Sequence, residues 1–571
     1  MIVIGKTNNI LNSSFFVFIC GGLLGALFFI FIFGTAILDF TYTDWIMRGF
    51  YDVSTHHLGW KLFRDSAWYF PFGLMDNIVY PFKISIMYND SIPLFAIIFK
   101  LLSPVLPEKF QYFGLFGILC YILQGGIGAL IVKKTGGNTV QSIIGSMFFI
   151  LSTVMMVRMF FHFPVLAHFI LLLCILAYLE NNNYSLKKRI FVWGGLLALS
   201  VSINSYFVPM VMIFLFFCLI REYTITRKIK KQLIAFGASL LILIGTMFCL
   251  GAFSFVTVRD ASLEGLGVNS ANLNTFINPQ QFVLNVGDMP LALEGMSYFL
   301  KDMPLATTVQ YEGYAYLGLG IILLGISVLF LSIQTMKKGR SDLKTCKKQQ
   351  VLPIIGIVLS FLIFSLSPTV TFNQYKLFTY PVIKPVELLW ASFRNTGRMI
   401  WPVVYIIMTV CIWQVIKQFS AKKSILVLCV FLLIQWADLK PWFVSKGNNY
   451  KTKVTWQSEL SSPVWNDLAN KYKHIFFMGD YVYFGNFKLH SFLDLAGDYK
   501  MTVNDFYIAR KNTEMINDNK QKEAAYLLKY GPKNDMIYVF QDMDQASLYK
   551  DTGIYFYNID DVIIGIDSNL P

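Results

Sequence analysis

Apolar residues in the first three-quarters of the chain run together instead of alternating with polar ones. Stretches near 15–38, 110–132, 139–157, 163–180, 189–204, 206–221, 233–256, 311–335, 351–367, 399–417 and 424–438 reach, or fall just short of, the roughly 17–25 residues that carry a helix through a hydrocarbon core. They predict about eleven transmembrane helices. A further apolar stretch, 91–106, has Lys100 at its middle and Pro93, Pro104 and Pro107 along it. Proline removes backbone donors and a central ammonium resists lipid, so this stretch predicts a short helix at the membrane surface. From about 440 the pattern changes: charged and amide residues become frequent and no run is long enough to span. Helix-like segments at 463–472 and 513–530 and strand-like runs at 475–478, 536–540, 554–557 and 562–566 predict a small α/β domain. The expected fold is a polytopic α-helical membrane domain, 1–439, followed by a soluble α/β domain, 440–571.

Charge orients this array. The net charge of +14 is what a nucleic-acid binder shows, but the cations sit in short loops between apolar runs: Lys133 and Lys134, Lys187 to Arg189, and the segments 221–231, 337–348 and 417–423. Cytoplasmic loops carry this excess. With the amino terminus inside, all five basic loops fall inside and the carboxyl terminus outside; counting 91–106 as a crossing inverts all five. Three sizeable outer segments result, 39–109, 257–310 and 368–398. A composition 55% hydrophobic and 14% charged excludes an ordinary water-soluble domain. Seven of eight cysteines lie in apolar segments and Cys346 in a basic loop, leaving no outer pair for a disulfide and no cysteine metal cluster. No GxxxxGK[ST] loop is present, which argues against nucleotide-driven work.

Candidate chemistry collects on the outer side. The first outer loop holds Asp44, Asp52, His56, His57, Arg64 and Asp65. A carboxylate there suits a general base; the plainer reading is an interfacial stretch with Trp45, Trp60 and Trp68 at headgroup depth. Asp90 precedes the surface helix as a second acid or, more simply, its cap. Adjacent histidines point in different directions, so zinc is a weak reading of His56 and His57. Arg394 and Arg398, four apart, share a face if helical, which suits a phosphate; snorkelling to headgroups is the alternative. Their place outside, against the charge bias, favours the functional reading. Glu312 stands at the mouth of a span, as a substrate anchor or a helix cap, with Tyr314 beside it. Asn272, Asn274 and Asn278 read as turn formers, and Arg158, His162 and His168 as members of an interfacial belt. The spans carry almost no charge inside, against an ion-coupled transporter.

The motifs YTDW, HHLGWKLFR, NDSIPL, QYEGYAYLG and FRNTGRMIWP resemble the signatures of a bacterial membrane-protein family allied to the GT-C glycosyltransferases, and the resemblance covers nearly the whole chain. It implies an inverting transfer of a sugar from a polyprenyl-phosphate carrier to a cell-envelope glycan or lipid acceptor at the outer face of the cell membrane. It also implies a first-loop carboxylate as base. Asp52 best matches the acidic position, since His56 and Trp60 follow it before Pro71, with Asp44 and Asp90 in reserve. His56, Glu312, Tyr314, Arg394 and Arg398 are then substrate-binding candidates, and Asn504, Tyr507 and Arg510 acceptor-binding ones. The first loop has no adjacent Asp-Glu pair and no DxD, so a divalent metal is left open and no other cofactor is implied. A lipid-glycan flippase and a non-catalytic assembly protein are the alternatives.

Overall fold

The computed structural model describes residues 13–48, 51–159, 162–254, 267–280, 282–286, 289–293, 295–337, 348–483, 485–509 and 511–570. Helix α1 (Ser14–Phe33) starts where the Ser13 hydroxyl accepts the Phe16 N–H and stops at Gly34, in the left-handed region. In the segment 39–109, α2 (Tyr51–Asp65) and the short α3 (Pro93–Leu101) follow. The bundle continues with α4 (Phe113–Lys134), α5 (Thr139–Ile150), α6 (Phe169–Glu180), α7 (Leu186–Ile203), α8 (Phe207–Thr226), α9 (Ile229–Cys249), α10 (Leu319–Lys337), α11 (Lys348–Leu366), α12 (Trp401–Gln418) and α13 (Ala421–Lys451). Glycines seat α1 on α4. A Cβ on Gly25 would lie 2.0 Å from the Tyr121 carbonyl oxygen, and one on Gly21 2.4 Å from that of Gly125; small residues let transmembrane backbones approach this closely.

Each of the eleven apolar runs is largely helical, but the structure gives fewer self-sufficient crossings than the expected count. Among the described residues seven helices are long and apolar enough to cross a membrane, or eight if the bent pair Thr139–Ile150 and Thr153–Met159 is one span. That pair was expected as one straight helix over 139–157. It bends by 46° where the Ser152 hydroxyl donates to the Tyr405 hydroxyl and Thr153 to the Tyr316 carbonyl. Helix α7 opens on three cations, and the apolar parts of α10 and α11 are short. At nine residues α3 is about 14 Å long, less than half a hydrocarbon core. Its Lys100 Nζ turns back to the Ser66 hydroxyl at 2.7 Å and the Ala67 carbonyl at 3.2 Å. The composition changes near 440, but the backbone continues: α13 runs to Lys451 through Pro441.

The carboxyl-terminal part contains α14 (Val464–Lys471), β1 (His474–Phe477), α15 (Phe487–Asp498), β2 (Thr502–Val503), α16 (Thr513–Tyr530), β3 (Met536–Phe540), β4 (Tyr555–Ile559) and β5 (Val562–Ile566). The sheet order is β4-β5-β3-β1-β2, with β1 parallel to both neighbours and the β4-β5 hairpin antiparallel. Every residue of β3 is buried, as an apolar strand between covered faces requires. This part is seated on α2: Lys61 Nζ is 2.6 Å from both Asp494 and Asp498, and Ser54 Oγ is 3.2 Å from His490 Nδ1. Backbone bonds join the Val503 N–H to the Asn77 carbonyl and the Ala509 N–H to the Tyr88 carbonyl.

Candidate active site

Helix α2 holds Asp52 and His56 one turn apart, both buried, so they share a face. Three tight turns from distant parts of the chain meet that face. Gln310–Gly313 carries Glu312, Thr396–Ile400 carries Arg398, and Val157–Met159 carries Arg158; His162 follows just before Phe163. Glycine lets the turns touch. A Cβ on Gly397 would lie 2.5 Å from the Gly313 Cα, and one on Gly313 2.4 Å from the Ala271 Cα. The glycine next to Glu312 and the one next to Arg398 are therefore what brings the two charged side chains together.

Glu312 is the hub. Arg398 grips it with two bonds, Nε to Oε2 at 2.8 Å and Nη2 to Oε1 at 2.7 Å, the fork geometry of strong carboxylate recognition. Arg158 Nη1 reaches Oε2 at 3.2 Å, Asn395 Nδ2 donates to Oε1 at 3.0 Å, and His162 Nε2 stands 3.3 Å from Oε1. Burial opposes ionisation here, but Arg398 and Arg158 overcome it and hold the carboxyl well below its usual range. The other ring nitrogen of His162, Nδ1, lies 3.1 Å from Asp52 Oδ2. Burial pushes Asp52 up, with His162 pulling the other way and Glu312 reinforcing the rise. His56 donates from Nδ1 to the Asn89 carbonyl at 3.1 Å, and burial lowers it to about 3, leaving a neutral imidazole with Nε2 as acceptor.

Asp90 adjoins the cluster, but not as the expected cap. It sits at φ 53°, the residue capping α3 is Ile92, and the Asp90 carboxylate accepts from Asn204 Nδ2 at 2.9 Å. Burial lifts it to about 6. Asp44 lies elsewhere, lining a cleft of about 720 Å³ with Lys61, Arg64 and Asp494, on the His57 and Trp60 side of α2 rather than the Asp52 side. Arg394 and Arg398 do not share a helix face, because Arg394 lies in an exposed bend and Arg398 in a buried turn. Tyr314 turns into the core, its hydroxyl 3.2 Å from the Met296 sulfur. Asn504 braces the carboxyl-terminal part: Oδ1 accepts from the Phe477 N–H at 2.8 Å and Nδ2 donates to its carbonyl. Tyr507 does face the cluster. Burial, then the field of Asp52, raises its phenol, and Arg394 and Asp90 also act on it. Arg510 lies outside the described residues.

Sequence reasoning assigned Arg158 and His162 to an interfacial belt and did not single out Asn204. The signal was available for Arg158, a cation on the side the charge bias disfavours, as Arg398 is. Among the described residues no group of three His, Cys, Asp or Glu side chains is arranged to hold a metal ion.

Fold and site define a polytopic membrane protein with a buried carboxylate, histidine and arginine cluster at one end of its helices, beneath a small α/β domain. The sequence profile described as "Domain of unknown function (DUF6311)" matches residues 22–440, and that of the "DUF6311 C-terminal domain" matches 464–567; the chain belongs to this family. No curated protein matches it. Among solved structures it is similar to the Archaeoglobus fulgidus oligosaccharyltransferase AglB, in complex with an inhibitory peptide and a dolichol-phosphate, at 10% identity and a TM-score of 0.44 over 97% of this chain and 74% of that one. The apo form of the oligosaccharyltransferase from the same organism gives 10% identity and a TM-score of 0.42, over 92% and 69%.

Proposed function

We propose that the chain is an inverting glycosyltransferase that moves a sugar from a polyprenyl-phosphate carrier to an envelope glycan or lipid on the extracytoplasmic face, with Asp52 as general base. The observation that carries this reading is Asp52 itself: a buried carboxylate, raised by its surroundings, at the end of the helices opposite their basic loops. A desolvated carboxylate with a raised pKa takes up a proton more readily than a solvated one, which suits a general base. It takes the proton of the acceptor hydroxyl as that oxygen bonds to the anomeric carbon. The carbon-to-phosphate bond breaks and the carrier phosphate leaves with the electron pair. Neutral His56 offers Nε2 to a sugar hydroxyl. Arg398 is committed to Glu312, so the exposed Arg394 is assigned the departing phosphate, with Asp90 as reserve acid. The soluble domain, 440–571, is assigned the acceptor, through Tyr507.

Purified chain, given a polyprenyl-phosphate hexose in membranes from cells lacking the gene, is expected to label an envelope polymer. Asp52→Asn is expected to slow this by about 10²–10⁴-fold at unchanged protein level. Unaltered labelling by Asp52→Asn ends the base assignment. Polymer trapped inside the cell, rather than undecorated polymer outside, replaces transfer with transport.

A further inference from the structure

We infer that His162 is a positioning residue that acts through Asp52, serving as the counter-charge that keeps that carboxylate ionised while Glu312 holds the imidazole's own charge. The inference rests on the transferase reading for its purpose, though not for its test.

The imidazole lies between two carboxylates, Nδ1 at 3.1 Å from Asp52 and Nε2 at 3.3 Å from Glu312. Glu312 is fixed as an anion by two arginines and accepts only, so Nε2 must carry a proton. One further proton is left for the line between Nδ1 and Oδ2. On Nδ1 it gives imidazolium and carboxylate, the form that can act as a base; on Oδ2 it gives a neutral pair that cannot. The surroundings favour the first form. Both Glu312 and Asp52 are 3.3 Å or less from the ring, and Asp90 adds a third carboxyl whose field His162 answers. The opposing groups are Arg398 and Arg158, which Glu312 engages, and His56, which is neutral. Among the described residues His162 is the basic side chain in contact with Asp52. Without it, the field of Arg398, which is not in contact with Asp52, is left to favour the anion of a buried carboxylate near two others, and Asp52 protonates more readily.

Infrared difference spectra of the purified full-length protein across pH read this directly. The carbonyl band of a protonated carboxylic acid is assigned to Asp52 by its loss in Asp52→Asn. His162→Gln is expected to move that band's midpoint upward by roughly 1–3 pH units, and the acid limb of the pH–rate profile with it. His162→Lys, which restores a cation, is expected to move it by less than half of that. A purely structural role predicts equal damage in both variants and no shift in either, and an unmoved midpoint in His162→Gln overturns the inference. If that variant does not fold, nitrogen-15 spectra of histidine in the wild-type protein decide: a neutral His162 ring at pH 7 overturns it equally. Activity lost in Asp52→Asn tests the transferase reading; the midpoint tests this one.

Discussion

Exchanging Glu312 for Gln keeps the shape of the hub and removes its charge. Arg398 is 3% exposed and Arg158 1%, so both guanidinium groups stay out of water facing a neutral amide. Their contacts with aromatic rings, Arg398 over Tyr206 at 4.4 Å and Arg158 over Trp401 at 4.8 Å, persist in the variant and do not change the difference. Removing one partner of a buried pair costs about 3–5 kcal/mol, and 3 kcal/mol is more than about a hundredfold in the folded-to-unfolded ratio. Arg398→Met, which removes the two-bond grip and leaves Glu312 with Arg158, Asn395 and His162, is expected to cost a similar amount. The double variant is expected to be more stable than the sum of the singles predicts, by roughly 0.5–3 kcal/mol. Unfolding titrated with sodium dodecyl sulfate in mixed micelles, followed by tryptophan fluorescence, measures all three. Either single variant costing under about 1 kcal/mol, or strict additivity, refutes a coupled buried network.

Asp90, lifted by burial from 3.8 to about 6, binds its proton more tightly folded than unfolded. Its contribution to stability is complete below about pH 4 and lost as pH rises through about 6; Asp90→Asn is expected to flatten that part of the stability–pH curve, and an unchanged slope contradicts the assignment. Lys61→Met removes both ion pairs to α15, partly exposed and worth about 1 kcal/mol, and is expected to speed proteolytic cleavage within 452–463; identical digestion patterns count against this docking. Gly25→Val drives a Cβ into the Tyr121 carbonyl and is expected to cost about 1–3 kcal/mol or more, read as a lower temperature of aggregation in detergent.

The helices were legible because lipid leaves the backbone no partner but itself, so an apolar run of the right length has few other structures to adopt. Their ends were not. Ser152 and Thr153 belong to the same apolar run as α5, and only the Tyr405 hydroxyl and Tyr316 carbonyl, far along the chain, explain why the helix breaks there. In the soluble part, the expected 513–530, 536–540 and 562–566 coincide with α16, β3 and β5. Helix α15 was missed: its sequence FKLHSFLDLAGD mixes Lys, His and Asp into a short run; His490, Asp494 and Asp498 find partners on α2 and Lys488 at the Asp560 carbonyl, which no local pattern reveals.

The site shows the same division between position and pairing. Motif residues at the outer ends of separate spans were singled out from the sequence, and Asp52, His56, Asp90, Glu312 and Arg398 do converge. The sequence could not show that Glu312 and Arg398 are each other's partners, 86 residues apart, or that Arg158, 154 residues from Glu312, completes the grip. A local cue existed in the glycine that follows Glu312 and the one that precedes Arg398, since a glycine without a Cβ permits tight turns and close backbone approach. The pairing also reassigns charge. Arg398 and Arg158 both turn onto Glu312, and among the described residues the basic group in contact with Asp52 is an imidazole that can lose its charge. The ionisation of Asp52 then depends on His162, a residue that neither its motif nor its spacing distinguishes from an interfacial histidine.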